Sequence, residues 1–227
     1  MNLAEHYNQL YHNAAKLILA EEYALDLEIK NRQDNRFGLT LIIRPDQKIK
    51  AEIQAFLNEL KKVESSQYYY PDSDIHITVL GIISCYEGFT LDQINVEDYI
   101  TVINQSLTDL GKIKIEFRGV TASPSAIMIQ GFLPDETLNN LRNTLRENFK
   151  NSDLKQSIDS RYSISAAHST VMRFQEKLQN SKKLIEIMEE YRDYDFGKFD
   201  VEKLELVYND WYQRETKTID LCDFHLR

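Results

Sequence analysis

Two tripeptides, His76-Ile77-Thr78 and His168-Ser169-Thr170, share the pattern H-x-T, and each lies in an apolar, strand-like stretch. The chain has five histidines. With threonine at roughly one residue in twenty, two of five histidines carrying Thr at +2 by chance has a probability of about 2 to 3%. In Asp74-Ile75-His76-Ile77-Thr78-Val79-Leu80 the alternation at period 2 sends Ile75, Ile77 and Val79 to one face and His76 and Thr78 to the other. Imidazole and hydroxyl then stand side by side on one surface.

The rest of the chain organises around those two strands. Residues 3 to 30 read as helix, with Leu3, Tyr7, Leu10, Tyr11, Ala14, Leu17 and Ile18 at helical spacing and no Gly or Pro. Phe37 to Ile43 is a core strand closed by Pro45, and Pro45-Asp46 opens a helix carrying Ile49, Ile53, Phe56, Leu57 and Leu60. Tyr68-Tyr69-Tyr70-Pro71 punctuates the chain as a packed loop before the first motif strand, Asp74 to Ser84. A helix over Val96 to Leu110 ends at Gly111. Ile113 to Val120 and Ala126 to Phe132 form an antiparallel pair, and Pro134-Asp135-Glu136 starts a helix to Phe149 with Leu138, Leu141 and Leu145 inward. The second motif strand spans Ser163 to Phe174, Lys177 to Tyr191 is a helix, and Val201 to Tyr208 pairs with Thr218 to Leu226. Strand, helix and motif strand thus recur around each H-x-T, the histidines lying 92 residues apart (76 to 168). That is half-chain spacing, so an α+β fold is expected in which two similar lobes face a shared cleft. Residues 1–36 would be a helical N-terminal extension, and 37–227 one bilobal domain, since no linker separates the halves.

A net charge of -9 argues against holding long duplex nucleic acid through its phosphates, although a few local donors can still hold one phosphate. Cys85 and Cys222 have no paired spacing, which points away from disulfides and zinc and towards inert packing thiols in a reducing compartment. No run approaches roughly 18 apolar residues, and Met1 to His6 lacks a secretory pattern. The expectation is a soluble, cytoplasmic monomer with no membrane contact.

Histidine titrates nearest neutral pH, so two across a cleft can serve as base and acid in one turnover. A hydroxyl on the same strand face, about 6 to 7 Å along by strand rise, can hold a nonbridging phosphate oxygen. Two such donors would fix a phosphoryl group and stabilise its charge. No metal or cofactor is called for, because the chain offers no H-E-x-x-H, H-x-x-E-H or clustered Asp pattern.

The paired motif, its apolar flanks, the strand-helix order and the closing run Leu204-Glu205-Leu206-Val207-Tyr208 resemble the 2H phosphoesterase superfamily, which includes bacterial 2'-5' RNA ligase-like proteins and cyclic nucleotide phosphodiesterases. The resemblance covers residues 37 to 226. It implies two pseudo-symmetric antiparallel sheets with flanking helices and a metal-independent site between them. Position by position, it makes His76 and His168 the acid/base pair and Thr78 and Thr170 the phosphate ligands. Ser169 departs from the apolar residue usual between His and Thr. An Arg common after the second motif would be Arg173, although strict alternation turns it away from His168.

Further candidates flank the motifs. Tyr70 lies where an aromatic could line the cleft mouth. Arg161 and Tyr162 are candidates for a phosphate or base contact, with a surface ion pair and a core tyrosine as the alternatives. Asp74 reads as a solvated cap at the strand start, His6 and His12 as exposed, and His225 as structural. The expected activity is a metal-independent phosphodiesterase acting on a 2',3'-cyclic or 2'-5' linked nucleotide or RNA end. The alternatives are a noncatalytic nucleotide or RNA-end binding module using the same cleft, and an enzyme specialised for a cyclic oligonucleotide signal or a nucleotide-sugar cyclic phosphate.

Overall fold

The computed structural model describes residues 2–108, 110–160 and 163–226. Helix α1 (Leu3–Leu19) opens on a capping box between Asn2 and Glu5 and buries Tyr7, Tyr11, Ala14 and Ile18. It stops eleven residues short of the helix expected over 3 to 30. The buried stripe runs out at Ile18, and Glu21 turns the chain with a φ of 58°. The released strand of chain then bonds to the body instead, Ala24 N–H to the Pro124 carbonyl and Asp26 N–H to that of Phe174.

In chain order there follow β1 (Arg36–Ile43), α2 (Gln47–Lys61), β2 (Tyr68–Tyr69), β3 (Ile77–Glu87), α3 (Val96–Ser106), β4 (Lys114–Ser123), β5 (Ala126–Phe132), α4 (Thr137–Lys150), β6 (Ser169–Arg173), α5 (Ser181–Glu190), β7 (Asp195–Asp200), β8 (Lys203–Asp210) and β9 (Ile219–His225). Two antiparallel sheets result, one ordered β3-β1-β8-β9 and the other β2-β6-β5-β4-β7. The α+β fold with one motif on each sheet agrees with the sequence. The lobes, however, are not the two halves of the chain. β8 and β9 complete the first sheet from the C-terminal end, while β2 is lent from the first half to the edge of the second.

Several boundaries move for physical reasons. The tyrosine run is a strand rather than a loop, Tyr68 and Tyr69 pairing with Arg173 and Met172. β7 has no period-2 signature in the sequence because Gly197, at a φ of 111°, breaks the alternation between its buried Phe196 and Phe199. α5 starts at Ser181 rather than Lys177 because the buried Glu64 carboxylate accepts the amides of Gln179 and Asn180 in the preceding loop. α3 ends at Ser106, whose hydroxyl accepts from Asn148 on α4, and not at Leu110.

α1 packs on the second sheet. The Tyr7 hydroxyl bonds both to the carbonyl and to the amide of Gly131 on β5, and Tyr11 donates to Glu189 of α5 at 2.6 Å. Among the described residues no helix is long and apolar enough to cross a membrane.

Candidate active site

Both motif strands begin one residue after their histidine, later than the sequence suggests. The segment ahead of His76 is a turn, with Asp74 N–H bonded to the Pro71 carbonyl. Asp74 is buried rather than a solvated cap. Its carboxylate accepts from Ser73 at 2.8 Å and from the amide of Glu215 at 3.0 Å, which fastens the strand start to the turn after β8. Its carbonyl oxygen lies 2.7 Å from His76 Nδ1. A carbonyl only accepts, so Nδ1 carries the proton and Nε2 of the neutral ring is an acceptor.

The segment ahead of His168 leaves the ladder because arginines of α4 take its carbonyls. Arg146 donates to Ile164 O at 2.9 Å, and Arg142 donates to Ala166 O at 2.9 Å. The chain here crosses β5 so closely that a Cβ on Gly131 would lie 1.9 Å from the Ala167 carbonyl oxygen. Arg142 is fully buried and also donates to Val79 O and Thr78 O of the first motif, each at 3.0 Å. One guanidinium thereby ties the two H-x-T segments together from behind. Burial lowers its pKa to about 10, so it stays charged at neutral pH.

His76, Thr78, His168 and Thr170 converge on one cavity of about 180 Å³ between the sheets. Each is part-exposed at the cleft surface. Burial pushes both imidazoles down to about 4; Arg44, Arg173 and His168 add to the effect on His76, as Arg142 and His6 do on His168. Of the three guanidiniums near the histidines, Arg44 is paired with Glu205 at 2.8 Å and Arg173 with Asp26 at 3.0 Å, whereas Arg142 has no carboxylate partner among the described residues. Among the described residues neither threonine hydroxyl has a hydrogen-bond partner, and His168 has none either.

Arg173 also lines the cavity, contrary to strict alternation. Thr170 pairs with Met128 and Met172 with its neighbour Ile127, so Val171 is an extra residue on β6. That β-bulge returns Arg173 to the face of Thr170. The same device occurs on β3, where Thr78 pairs with Ile42 and Leu80 with Leu41, leaving Val79 extra. The pseudo-symmetry of the two motifs extends to a bulged valine three residues after each histidine. It breaks at the fifth residue, which is Arg173 in one lobe and Gly81 in the other, where a Cβ would meet nothing within 4 Å.

Arg173 is held by Tyr70, whose hydroxyl accepts from Nε at 2.9 Å, and by Asp26, which accepts from Nη1 at 3.0 Å. Burial works against its charge, but Tyr70 and Asp26 hold its pKa above the ordinary value. Tyr70 itself is buried at the cavity wall. Asp26 and Tyr212, whose hydroxyl donates to Asp26 at 2.6 Å, were not singled out from the sequence. Arg161 and Tyr162 lie outside the described residues.

Ser169 faces away from the cavity and is fully buried, its hydroxyl without a partner among the described residues. Desolvating that group costs about 1–3 kcal/mol. Ser169→Ala is expected to gain about 1 kcal/mol in urea denaturation with activity unchanged; a loss of similar size would show that the hydroxyl is satisfied in solution.

The wall opposite β6 is the end of β8 and the turn after it, through Asn209, Trp211 and Gln213. Asp210 pins this turn, accepting from the amides of Tyr212 and Arg214 and from Arg214 Nε at 2.6 Å. Among the described residues no group of three or more His, Cys, Asp or Glu side chains is placed to hold a metal ion.

The family model of the 2'-5' RNA ligase superfamily matches residues 46–212. No curated protein matches the chain at a significant level. Among solved structures, TT0787 of Thermus thermophilus superposes with a TM-score of 0.62 at 14% identity, covering 84% of this chain and 98% of that one. E. coli LigT complexed with 3'-AMP gives 0.55 at 12% identity, with coverage of 84% and 98%. ATU0111 of Agrobacterium tumefaciens, described as a conserved protein of unknown function, gives 0.56 at 13%, with coverage of 91% and 97%. These likenesses speak for the fold, and the family match spans most of the sequence between the first core strand and the turn after β8: the chain belongs to the 2'-5' RNA ligase superfamily, the 2H phosphoesterases.

Proposed function

We propose that the protein is a metal-independent phosphodiesterase that opens a 2',3'-cyclic phosphate, or cleaves a 2'-5' linkage, at the end of a small nucleotide or RNA. The observation that carries this reading is the convergence of two imidazoles, two unengaged threonine hydroxyls and the Arg173 guanidinium on one small cavity. At about 180 Å³ the cavity is smaller than the ~300–1,000 Å³ of ordinary ligand pockets. It takes the phosphate of a terminal nucleotide and the edge of its base, and leaves the rest of a longer substrate outside.

His76, with Nε2 as its acceptor, takes the proton of an attacking water while the new P–O bond forms. His168 in its protonated form gives a proton to the ribose oxygen as its bond to phosphorus breaks, so a cyclic phosphate becomes a phosphomonoester. Thr78, Thr170 and Arg173 hold the nonbridging oxygens and stabilise charge that grows on them. The 3'-AMP bound in the LigT structure, a nucleoside monophosphate, supports a nucleotide as the occupant.

The test is product chromatography on nucleoside 2',3'-cyclic phosphates, 2'-5' dinucleotides and 3'-5' dinucleotides. Turnover of either of the first two classes is expected, unchanged by EDTA; strong inhibition by chelator would overturn the reading, as would turnover of none. The pH profile adds a second check. With both imidazoles depressed to about 4, the pair bears one proton mainly on the acid side of neutrality in the free enzyme. kcat/KM is therefore expected to be bell-shaped with its maximum below pH 7, and kcat to peak at higher pH because a bound phosphate anion raises the acid's pKa. A kcat/KM maximum above pH 8 would sink the assignment.

A further inference from the structure

The turn after β8 carries polar groups that the proposed chemistry does not use. Gln213 is 5% exposed, yet its carboxamide makes no hydrogen bond to any described residue, and its Oε1 is buried without a partner. Its backbone sits at a φ of 59°, a left-handed conformation rare for glutamine. Such strain persists where surrounding contacts enforce it and often marks a functional position. The Asp210 network supplies those contacts, and the Asp74–Glu215 bond ties the same turn to the segment that orients His76.

Four residues earlier in the same wall, Asn209 is 2% exposed and donates Nδ2 to the Asp210 carbonyl at 2.8 Å. That bond fixes which end of the amide is free, and its Oδ1 too is buried without a partner. Both residues line the cavity of the two histidines. Buried acceptors left unpaired are costly, so an occupant that supplies donors is favoured. Phosphate oxygens only accept, so they cannot be that occupant. An exocyclic amino group offers two N–H donors beside a ring acceptor, the edge that a carboxamide pairs with.

We propose that Gln213, with Asn209 beside it, recognises an amino-bearing nucleobase on the substrate whose phosphate lies between the histidines. This rests on the phosphodiesterase reading and adds the base preference to it: adenine, cytosine or guanine over uracil. Gln213 is thus a specificity-determining residue.

The experiment compares adenosine, cytidine and uridine 2',3'-cyclic phosphates with base-free ribose 2',3'-cyclic phosphate. Wild-type protein is expected to favour adenosine and cytidine over uridine by about tenfold in kcat/KM. Gln213→Ala should remove most of that preference through KM and leave the base-free rate unchanged. Gln213→Gly is the second variant, because glycine accepts a positive φ without strain and keeps the turn. Its thermal midpoint should equal or exceed that of wild type while the preference is lost. An equal loss on the base-free substrate, or an unchanged preference in both variants, overturns the proposal.

Trp211, the one tryptophan of the sequence, lines the same wall and gives a readout independent of turnover. Adenosine monophosphate should change its fluorescence at lower concentration than uridine monophosphate, and Gln213→Gly should equalise the two. If no substrate is turned over, the phosphodiesterase reading fails while this titration still decides the role of Gln213; equal wild-type affinity for the two monophosphates overturns it.

Discussion

His76→Ala and His168→Ala are each expected to lower kcat on a nucleoside 2',3'-cyclic phosphate by about 10²–10⁴-fold, the range for loss of a positioned acid or base. The double variant should fall little further, because the two act in one step and their effects do not add. Stability provides the control. Each imidazole is depressed in the folded state to about 4, below its ordinary 6.5. Between those values the unfolded chain binds the extra proton, so wild-type stability is full above about pH 6.5 and is lost as pH falls towards 4. Each alanine variant should show a shallower loss over this window, measured by urea denaturation at pH 7 and pH 5. A variant that keeps full kcat would remove its histidine from the chemistry, whatever its stability.

Arg142→Met should cost about 3–5 kcal/mol of stability, the largest effect expected of any single side chain here. Methionine matches the apolar bulk of the stem but leaves the carbonyls of Thr78, Val79 and Ala166 buried without their donor. Arg142→Lys should lie between, since one ammonium cannot reach three carbonyls in the fork geometry of a guanidinium. Where enough folded protein remains, two further changes are expected. Activity falls because the H-x-T segments lose their common tie. The His168 imidazole titrates higher, because burial is the larger cause of its depression but the Arg142 charge adds to it. An unchanged urea midpoint in Arg142→Met would show that the carbonyls find water instead.

The alternation around His76 and the repeat of H-x-T made the two motif strands legible, along with the helices whose apolar stripes are continuous. What local pattern could not carry was long-range register. Nothing within residues 203 to 210 says that this strand lies against β1 as well as against β9, its neighbour in sequence. Nor does alternation announce a bulge, so the pattern alone cannot show that Arg173, a candidate contact only if the strand ends or twists, lines the cleft. Arg142 could have been found. Leu138, Leu141, Leu145 and Phe149 define the buried face of α4, and Arg142 sits on it at i+4 from Leu138. A lone arginine on a buried helical stripe must be bonding to something inside. Gln213 and Asn209 gave no comparable signal, since their meaning depends on partners they lack in the fold.

The interleaved strand order has a consequence for how the molecule is made. β1 lies between β3 and β8, so its second edge stays unpaired until residues 203–210 have been synthesised. A nascent chain carrying both H-x-T motifs holds only the β1–β3 pair of its first sheet, and an isolated two-stranded pair is at best marginally stable. Pairings across such sequence separations form slowly, because the loop must close before any contact rewards it. The cleft is therefore finished late, only after residues 203–210 have been translated. Until then the open edge of β1 is the surface most exposed to aggregation and to capture by a chaperone.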